Sequence, residues 1–522
     1  MSLHPILLPL HPTGEAQAGQ QIAAKQSLLG AVTGIDLDTY GGKIRIEWEP
    51  QAPVTPMGQL PFFTSFLKTS KLFSEWVESC PMNWESPNAP KKTDVLGTIL
   101  LSILAGHTRY SHIATIRSDH VNPPLLGMEK VASVDSIRRS LMKLDAEASD
   151  LWMTENQTKL YLPLLYEPWI LDTDASVKTV YGHQEGAVVG YNPHKPGRPS
   201  HTYHTYFIAN LRMVLDVEVQ AGNKMAASHT RPRLMKFLDS LPLEARPKFV
   251  RGDCAWGNEG AMDDLEQRGI PYLFKVRQTS GVKRLIEKLF RQEKWVFAGQ
   301  GWEGCESTLK LTGWTKKRRV VVLRRQIKEK KKKEVKASKD SGQLVVFENK
   351  EQTWEYAVLV TTLPDEILTI SQHYRDRADS ENNFDELKNQ WGWCGFTTHD
   401  FKRCQLMARM IALIYNWWSL FVRLAIPEKH AEAITSRPLL LEAVGKQTTH
   451  GRQTTVTITS THAKAHKAKQ ILTALAGFLT EIRQNAQQLG WPELWNRILS
   501  RIFRWFLKDR PLRVPHLLPL PI

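Results

Sequence analysis

Between Trp169 and Val276 the hydrophobic pattern changes period several times in a fixed order, and that order constrains the fold more than any other feature of the chain. Trp169-Ile-Leu-Asp-Thr-Asp174 reads as a strand, and a Gly-rich basic loop, Gly182 to Arg198, follows it. Two β-type runs, Tyr203 to Ala209 and Met213 to Gln220, precede an amphipathic helix from about Arg231 to Leu241. Lys248 to Asp253 reads as a fourth strand, Asn258 to Arg268 as a helix, and Tyr272 to Val276 as a fifth strand. The result is an α/β sheet with acidic residues where strands end: Asp172 and Asp174 on the first, Asp253 on the fourth.

Three strands, helix, strand, helix, strand resembles the element order of a ribonuclease-H-like sheet, in which the first and fourth strands are neighbours. Two carboxylates would then lie side by side at one rim. Like charges so close repel, and a divalent cation is the usual remedy. A single strand-end Asp is more often a turn former, so the pairing and a third carboxylate carry the signal.

The segment Tyr374 to Lys388 offers the third. At about 100° per residue, Tyr374, Arg377, Glu381 and Lys388 fall within a stripe of roughly 60° on one helix running from about Leu368 to Gln390. Phe384, Leu387 and Trp391 form an adjacent arc suited to docking on a sheet. Taken alone, the stretch also reads as a solvated salt-bridge helix.

Elsewhere the chain is helical before the sheet and after it. Lys43 to Glu49 suggests an edge strand, and apolar helices follow from Leu60 and from Val95. Ser133 is placed to cap a helix in which Ile137, Leu141 and Leu144 face a core and Arg138, Arg139 and Lys143 face outward. That is the shape of a DNA-reading helix and equally of an ordinary basic amphipathic helix. From about Arg277 to Leu363 the helical period disappears, short β-type runs recur, and Lys328 to Lys339 is lysine-rich, so a separate β-rich insertion is expected. Its tryptophans Trp295, Trp302 and Trp314 read as β-domain core.

Lys plus Arg number 69 against 53 acidic residues in 522, a net +16 that implies a polyanionic partner. The five cysteines, Cys80, Cys254, Cys305, Cys394 and Cys404, are scattered without zinc-ligand spacing, which points to a reducing cytoplasm. The apolar stretch Leu406 to Ile426 carries Arg409, Asn416 and Arg423, so it reads as a buried helix and not a membrane span.

The spacing Tyr374, Arg377, Glu381, Lys388 resembles the Tyr-(2)-Arg-(3)-Glu-(6)-Lys signature of bacterial insertion-sequence transposases of the DDE class. Leu171 to Val177, with Tyr181 to Gly186 and Gly190 to Arg198, is similar to their first-carboxylate block, and Arg251-Gly-Asp-Cys-Ala-Trp256 to their second. The similarity runs from about Val54 to Leu424. It implies a ribonuclease-H-like catalytic core interrupted by a β-rich insertion and flanked by helical N- and C-terminal regions. The boundaries are 1–165 for a mostly helical region binding DNA ends, 166–277 and 364–425 for the two parts of the core, 278–363 for the insertion, and 426–522 for a helical region suited to dimerisation. The implied activity is cut-and-paste transposition through hairpin ends, on double-stranded DNA at inverted repeats and at a target, by a homodimer in the bacterial cytoplasm at the nucleoid. With hairpin ends implied, one of Trp295, Trp302 and Trp314 would be a candidate to stack on a flipped base.

The resemblance further implies Asp174, Asp253 and Glu381 as catalytic ligands of two Mg²⁺ (or Mn²⁺) ions. Relatives place the first Asp before a small or hydroxyl pair, which selects Asp174, before Ala175-Ser176, with Asp172 the fallback. Tyr374, Arg377 and Lys388, and with them Lys195, Arg198, Arg138 and Arg139, are the expected contacts to DNA. A ribonuclease-H-like nuclease without strand transfer, and a silent sequence-specific DNA-binding protein, are the alternatives.

Overall fold

A computed structural model describes residues 35–47, 52–84, 86–292, 294–327, 347–349, 352–393, 395–428, 430–462, 464–485 and 489–512, without the side chains of 347–349, 352 and 379–381. Contacts divide the chain into two units, residues 54–446 with 456–522, and residues 1–53 with 447–455. The smaller unit contains an antiparallel pair, Ile35–Thr39 with Gly42–Ile46, so the strand expected near Lys43 is present.

In the larger unit the sheet starts from β1 (Ile170–Thr179), β2 (Pro199–Ile208), β3 (Met213–Ala221), β4 (Phe249–Gly252) and β5 (Tyr272–Lys275). Their spatial order is β3-β2-β1-β4-β5, antiparallel among the first three and parallel from β1 through β4 to β5. This is the ribonuclease-H-like arrangement expected from the element order. The parallel steps follow from chain connectivity: a helix, Ala227–Ser240, carries the chain from β3 to β4, and another, Glu259–Gln267, from β4 to β5.

The β-rich segment is not a separate body. β6 (Trp302–Leu309), β7 (Arg318–Gln326) and β8 (Gln352–Thr361) continue the same sheet, because Leu359, Val360 and Thr361 of β8 pair with Lys275, Phe274 and Leu273 of β5. A helix, Ser280–Phe290, also lies where none was expected; Val282, Leu285, Ile286 and Leu289 form its buried face. The C-terminal stretch expected to be helical contains two strands, Gly445–His450 and Gln453–Ile458.

Numbering the helices the site requires in chain order, α1 is Val134–Met142, α2 Glu259–Gln267, α3 Ile367–Arg375, α4 Ala378–Gln390 and α5 Phe401–Ala425. Ser133 caps α1 as its sequence suggests, accepting a hydrogen bond from the Ser136 amide at 3.2 Å.

Among the described residues no helix is long and apolar enough to cross a membrane. Two polar residues of α5 are instead spent on β3, an edge strand whose outer backbone groups would otherwise be orphaned. Asn416 accepts from the Val214 amide (2.9 Å) and donates to its carbonyl (2.7 Å). Gln405 likewise accepts from the Val219 amide and donates to the Val217 carbonyl. A side-chain amide thus stands in for a neighbouring strand.

Many tryptophans build the helical core. Trp76 stacks on Trp152 with ring centres 5.4 Å apart and meets Trp417 edge-on, and the Trp152 indole donates to the Trp76 carbonyl at 2.9 Å.

Candidate active site

Register places the first two carboxylates. Asp172 pairs with Arg251 and Thr173 with Gly252 across the parallel β1–β4 ladder, so Asp174 and Asp253 are the next step at the same rim. β4 stops there because the Asp253 carboxylate accepts the Ala255 amide at 2.9 Å, turning the chain. A Cβ on Gly252 would approach the Trp256 ring to 3.0 Å, which keeps that turn tight.

Asp174 accepts its own neighbour's amide, Ala175, at 2.8 Å through one oxygen and the Arg377 guanidinium at 2.7 Å through the other. Burial, and then the charge of Asp174, push the Asp253 carboxyl above its ordinary value, with Arg377 opposing both. Burial works against the charge on Arg377, and Asp174, Tyr374 and Asp253 outweigh it, so the guanidinium is held more firmly protonated than usual. Its carbon lies 5.9 Å from the centre of the Tyr374 ring, whose hydroxyl burial pushes up to about 12.

The single helix expected from Leu368 to Gln390 is two. α3 ends at Arg375, Arg377 stands at the N-cap position of α4 without a side-chain capping bond, and the Arg377 amide bonds the Tyr374 carbonyl at 3.2 Å. Asp376 and Arg377 keep helix-like dihedrals, with ψ of −12° and −22°, close to the tighter 3₁₀ form. The residues at the break are helix-compatible, so the periodicity runs through it. Tyr374 and Arg377 therefore reach the rim from the junction, and Glu381 and Lys388 belong to the second helix. Glu381 is in the second turn of α4; its side chain lies outside the described residues.

Asp172 is elsewhere in kind. It is 1% exposed, and Arg251 grips both its oxygens, at 2.5 and 2.7 Å, while also donating to the His373 carbonyl.

Lys388 is half-buried and lines a small cavity with Ser176, Lys178, Tyr203 and Trp393. Lys195 and Arg198 gather around Tyr181, off the end of β1. Arg138 and Arg139 are exposed on α1, Arg138 against the Tyr110 ring at 5.5 Å. The insertion tryptophans are engaged by the protein itself: Arg324 covers Trp295, Arg325 covers Trp302, and Trp314 is buried beside Arg318. Lys328 to Lys339 lies outside the described residues.

One residue at this rim escapes the sequence reading. Lys275 follows Phe274, the partner of Gly252, and so ends β5 beside Asp253; burial lowers its ammonium below the ordinary value. A lysine closing the strand next to the Asp253 strand was the available signal.

The donor chemistry fits a hard divalent cation. Asp174 and Asp253 supply only oxygens, and burial together with the charge of Asp174 raises Asp253, a cost that a bound cation would relieve. Among the described residues no three His, Cys, Asp or Glu side chains form a group able to hold a metal; the third carboxylate expected, Glu381, is not among those side chains.

No curated protein matches the chain. The cryo-EM structure of the piggyBac transposase synaptic complex with hairpin DNA aligns over 90% of this chain and 89% of that one, at 12% identity and a TM-score of 0.37, a likeness too slight to argue from. The model of the transposase DDE domain, group 1, matches residues 73–479, and by that match over most of its length the chain belongs to the DDE transposase family.

Proposed function

We propose that this protein is the transposase of a bacterial insertion sequence. It binds the terminal inverted repeats of its element, pairs two ends as a homodimer at the nucleoid, cuts the DNA and joins the freed ends to a target, passing through hairpin ends. The observation that carries the reading is the juxtaposition of Asp174 and Asp253 on neighbouring parallel strands with Arg377 bound to the first.

Asp174, Asp253 and Glu381 would hold two Mg²⁺ or Mn²⁺ ions. When bound, such ions neutralise charge on the phosphoryl oxygens and ease deprotonation of the attacking hydroxyl. The chain's own residues do the rest. Arg377, kept charged in a mostly buried setting, is suited to fix a phosphate at the rim by paired N–H donors, and Tyr374 packs its plane. Lys388 lies on the helix of Glu381 and carries a further positive charge towards the strand. Lys195, Arg198, Arg138 and Arg139 add phosphate affinity away from the rim. In the first step water attacks the phosphorus at the transposon end and the 3′-oxygen leaves; that 3′-hydroxyl then attacks a second phosphate and expels another 3′-oxygen.

The test is cleavage of a duplex carrying the inverted repeats that flank the reading frame. Asp174→Ala, Asp253→Ala and Glu381→Ala are each expected to abolish metal-dependent cutting and keep DNA binding. Full cutting by Asp174→Ala with loss in Asp172→Ala would reverse the choice of first aspartate. Cut ends that never join a supercoiled target would make the protein a nuclease.

A further inference from the structure

The strand that carries Asp174 runs on to the surface and ends in an aromatic residue among cations. β1 closes at Thr179, the Val180 amide still bonds the Pro199 carbonyl at 2.9 Å, and Tyr181 then stands 69% exposed. The chain returns to bring the Lys195 ammonium to 4.9 Å and the Arg198 guanidinium to 6.0 Å from the ring centre, with Lys195 also hydrogen-bonded to the Tyr181 hydroxyl.

The arrangement is built into the loop. Asn192, 5% exposed, donates to the Thr179 hydroxyl and accepts the Lys195 amide, both at 3.0 Å, and the Arg198 amide bonds the Lys195 carbonyl at 3.2 Å. Gly197, with φ of +78°, makes the turn between the two cations. A buried amide therefore fixes where both charges stand relative to the ring.

Cations alone serve a phosphate backbone. An exposed ring among them adds a surface that a duplex cannot use, since its bases are already stacked on one another; an unpaired base can. Seven residues of extended chain separate Tyr181 from Asp174, about 23 Å.

We infer that Tyr181, Lys195 and Arg198 form a clamp for an unpaired DNA strand, about 23 Å along β1 from the Asp174 rim. Tyr181 stacks on one base, and the two cations take the phosphates beside it. The clamp rests on the reading of this chain as an enzyme acting on DNA, and it extends that reading from duplex ends to a distorted or opened strand.

Fluorescence anisotropy of the full-length protein against labelled oligo(dT) and against a duplex of equal length tests it. Tyr181→Ala is expected to weaken oligo(dT) binding about tenfold and duplex binding less than twofold, whereas Tyr181→Phe, which keeps the ring and loses the Lys195 bond, stays near wild type on both. Lys195→Ala and Arg198→Ala are expected to weaken both probes and to lower the salt slope by about one each. Equal losses on the two probes for Tyr181→Ala, or no loss on oligo(dT), would overturn the clamp while leaving a DNA-binding enzyme. Wild-type protein that binds neither probe would overturn the DNA reading beneath it.

Discussion

Asp172 and Asp174 point to the same face of one strand, two residues apart, and the protein uses them in opposite ways. Asp172 is closed: Arg251 from the adjacent strand takes both oxygens, and the carboxylate is 1% exposed. Asp174 is open by comparison: 16% of its side chain is exposed, its oxygens take the Ala175 amide and the Arg377 guanidinium one each, and a second carboxylate stands at the next strand end. What separates a structural aspartate from a reactive one here is the residue across the ladder. Arg251 faces Asp172; one step on, where the next arginine would have to stand, β4 has ended and Asp253 turns the chain. This contrast gives the largest expected effect. Asp172→Asn should cost about 3–5 kcal/mol in urea unfolding, because it leaves Arg251 buried with half a partner. Asp174→Asn should cost less than that, since the Asp253 charge still offsets Arg377, yet lower cleavage at least about a thousandfold. Equal stability losses in the two variants would erase the distinction.

A second closed set lies at the other side of the sheet and tests whether closure has the same meaning away from the rim. Asp216 on β3 binds Arg233 at 2.7 Å and Arg409 at 2.9 Å, and Arg409 continues to Asp150 at 2.8 Å and to Thr154 and Gln157. Burial raises the Asp216 carboxyl, and the two arginines outweigh it, leaving the group below its ordinary value. Arg409→Met should cost about 2–3 kcal/mol, less than Asp172→Asn because Arg233 remains, and should leave cleavage per folded molecule unchanged. Urea unfolding and a cleavage assay well below the melting temperature separate the two. A large loss of cleavage in folded Arg409→Met would tie this network to the chemistry.

How much of this could be read beforehand follows the range of the interactions. Strand order came from local periodicity, and with it the approach of Asp174 to Asp253; that β1 does not end at Asp174 but runs on to Thr179, while β4 stops at Gly252, was not in that pattern. The Ser133 cap and the burial of Ile137 and Leu141 were legible for the same reason, being set within one turn or two. The choice between Asp172 and Asp174 was not available from periodicity, which puts both on one face; register against Arg251 decides how each is held. The union of the insertion with the main sheet was equally hidden. It depends on Leu359 to Thr361 meeting Leu273 to Lys275, a pairing between distant segments that leaves no mark on either one's pattern. The Ser280–Phe290 helix is different: the three-to-four spacing of Val282, Leu285, Ile286 and Leu289 is local and legible in the sequence.

The smallest expected effect concerns the seam where the insertion joins. Arg318 on β7 binds Glu259 at 2.6 Å and Glu266 at 2.8 Å, both on α2, while Lys316 and the Tyr272 hydroxyl also reach Glu266. Burial pushes the Glu266 carboxyl up, and the bonds from Arg318, Lys316 and Tyr272 more than reverse it, bringing it from 4.5 down to about 2. A carboxylate depressed in the folded state stabilises that state fully above its unfolded value. The contribution is therefore intact above pH 4.5 and fades as pH falls towards 2. Glu266→Gln should be less stable than wild type at neutral pH, with the two curves converging between pH 4.5 and 2 in thermal melts. The offset stays small because Glu259 continues to hold Arg318. If the seam is closed in the way that Asp172 is closed, acid should loosen it without changing how the rim cuts DNA at neutral pH; curves that run parallel down to pH 2 would show that Glu266 does not bind the insertion to the core.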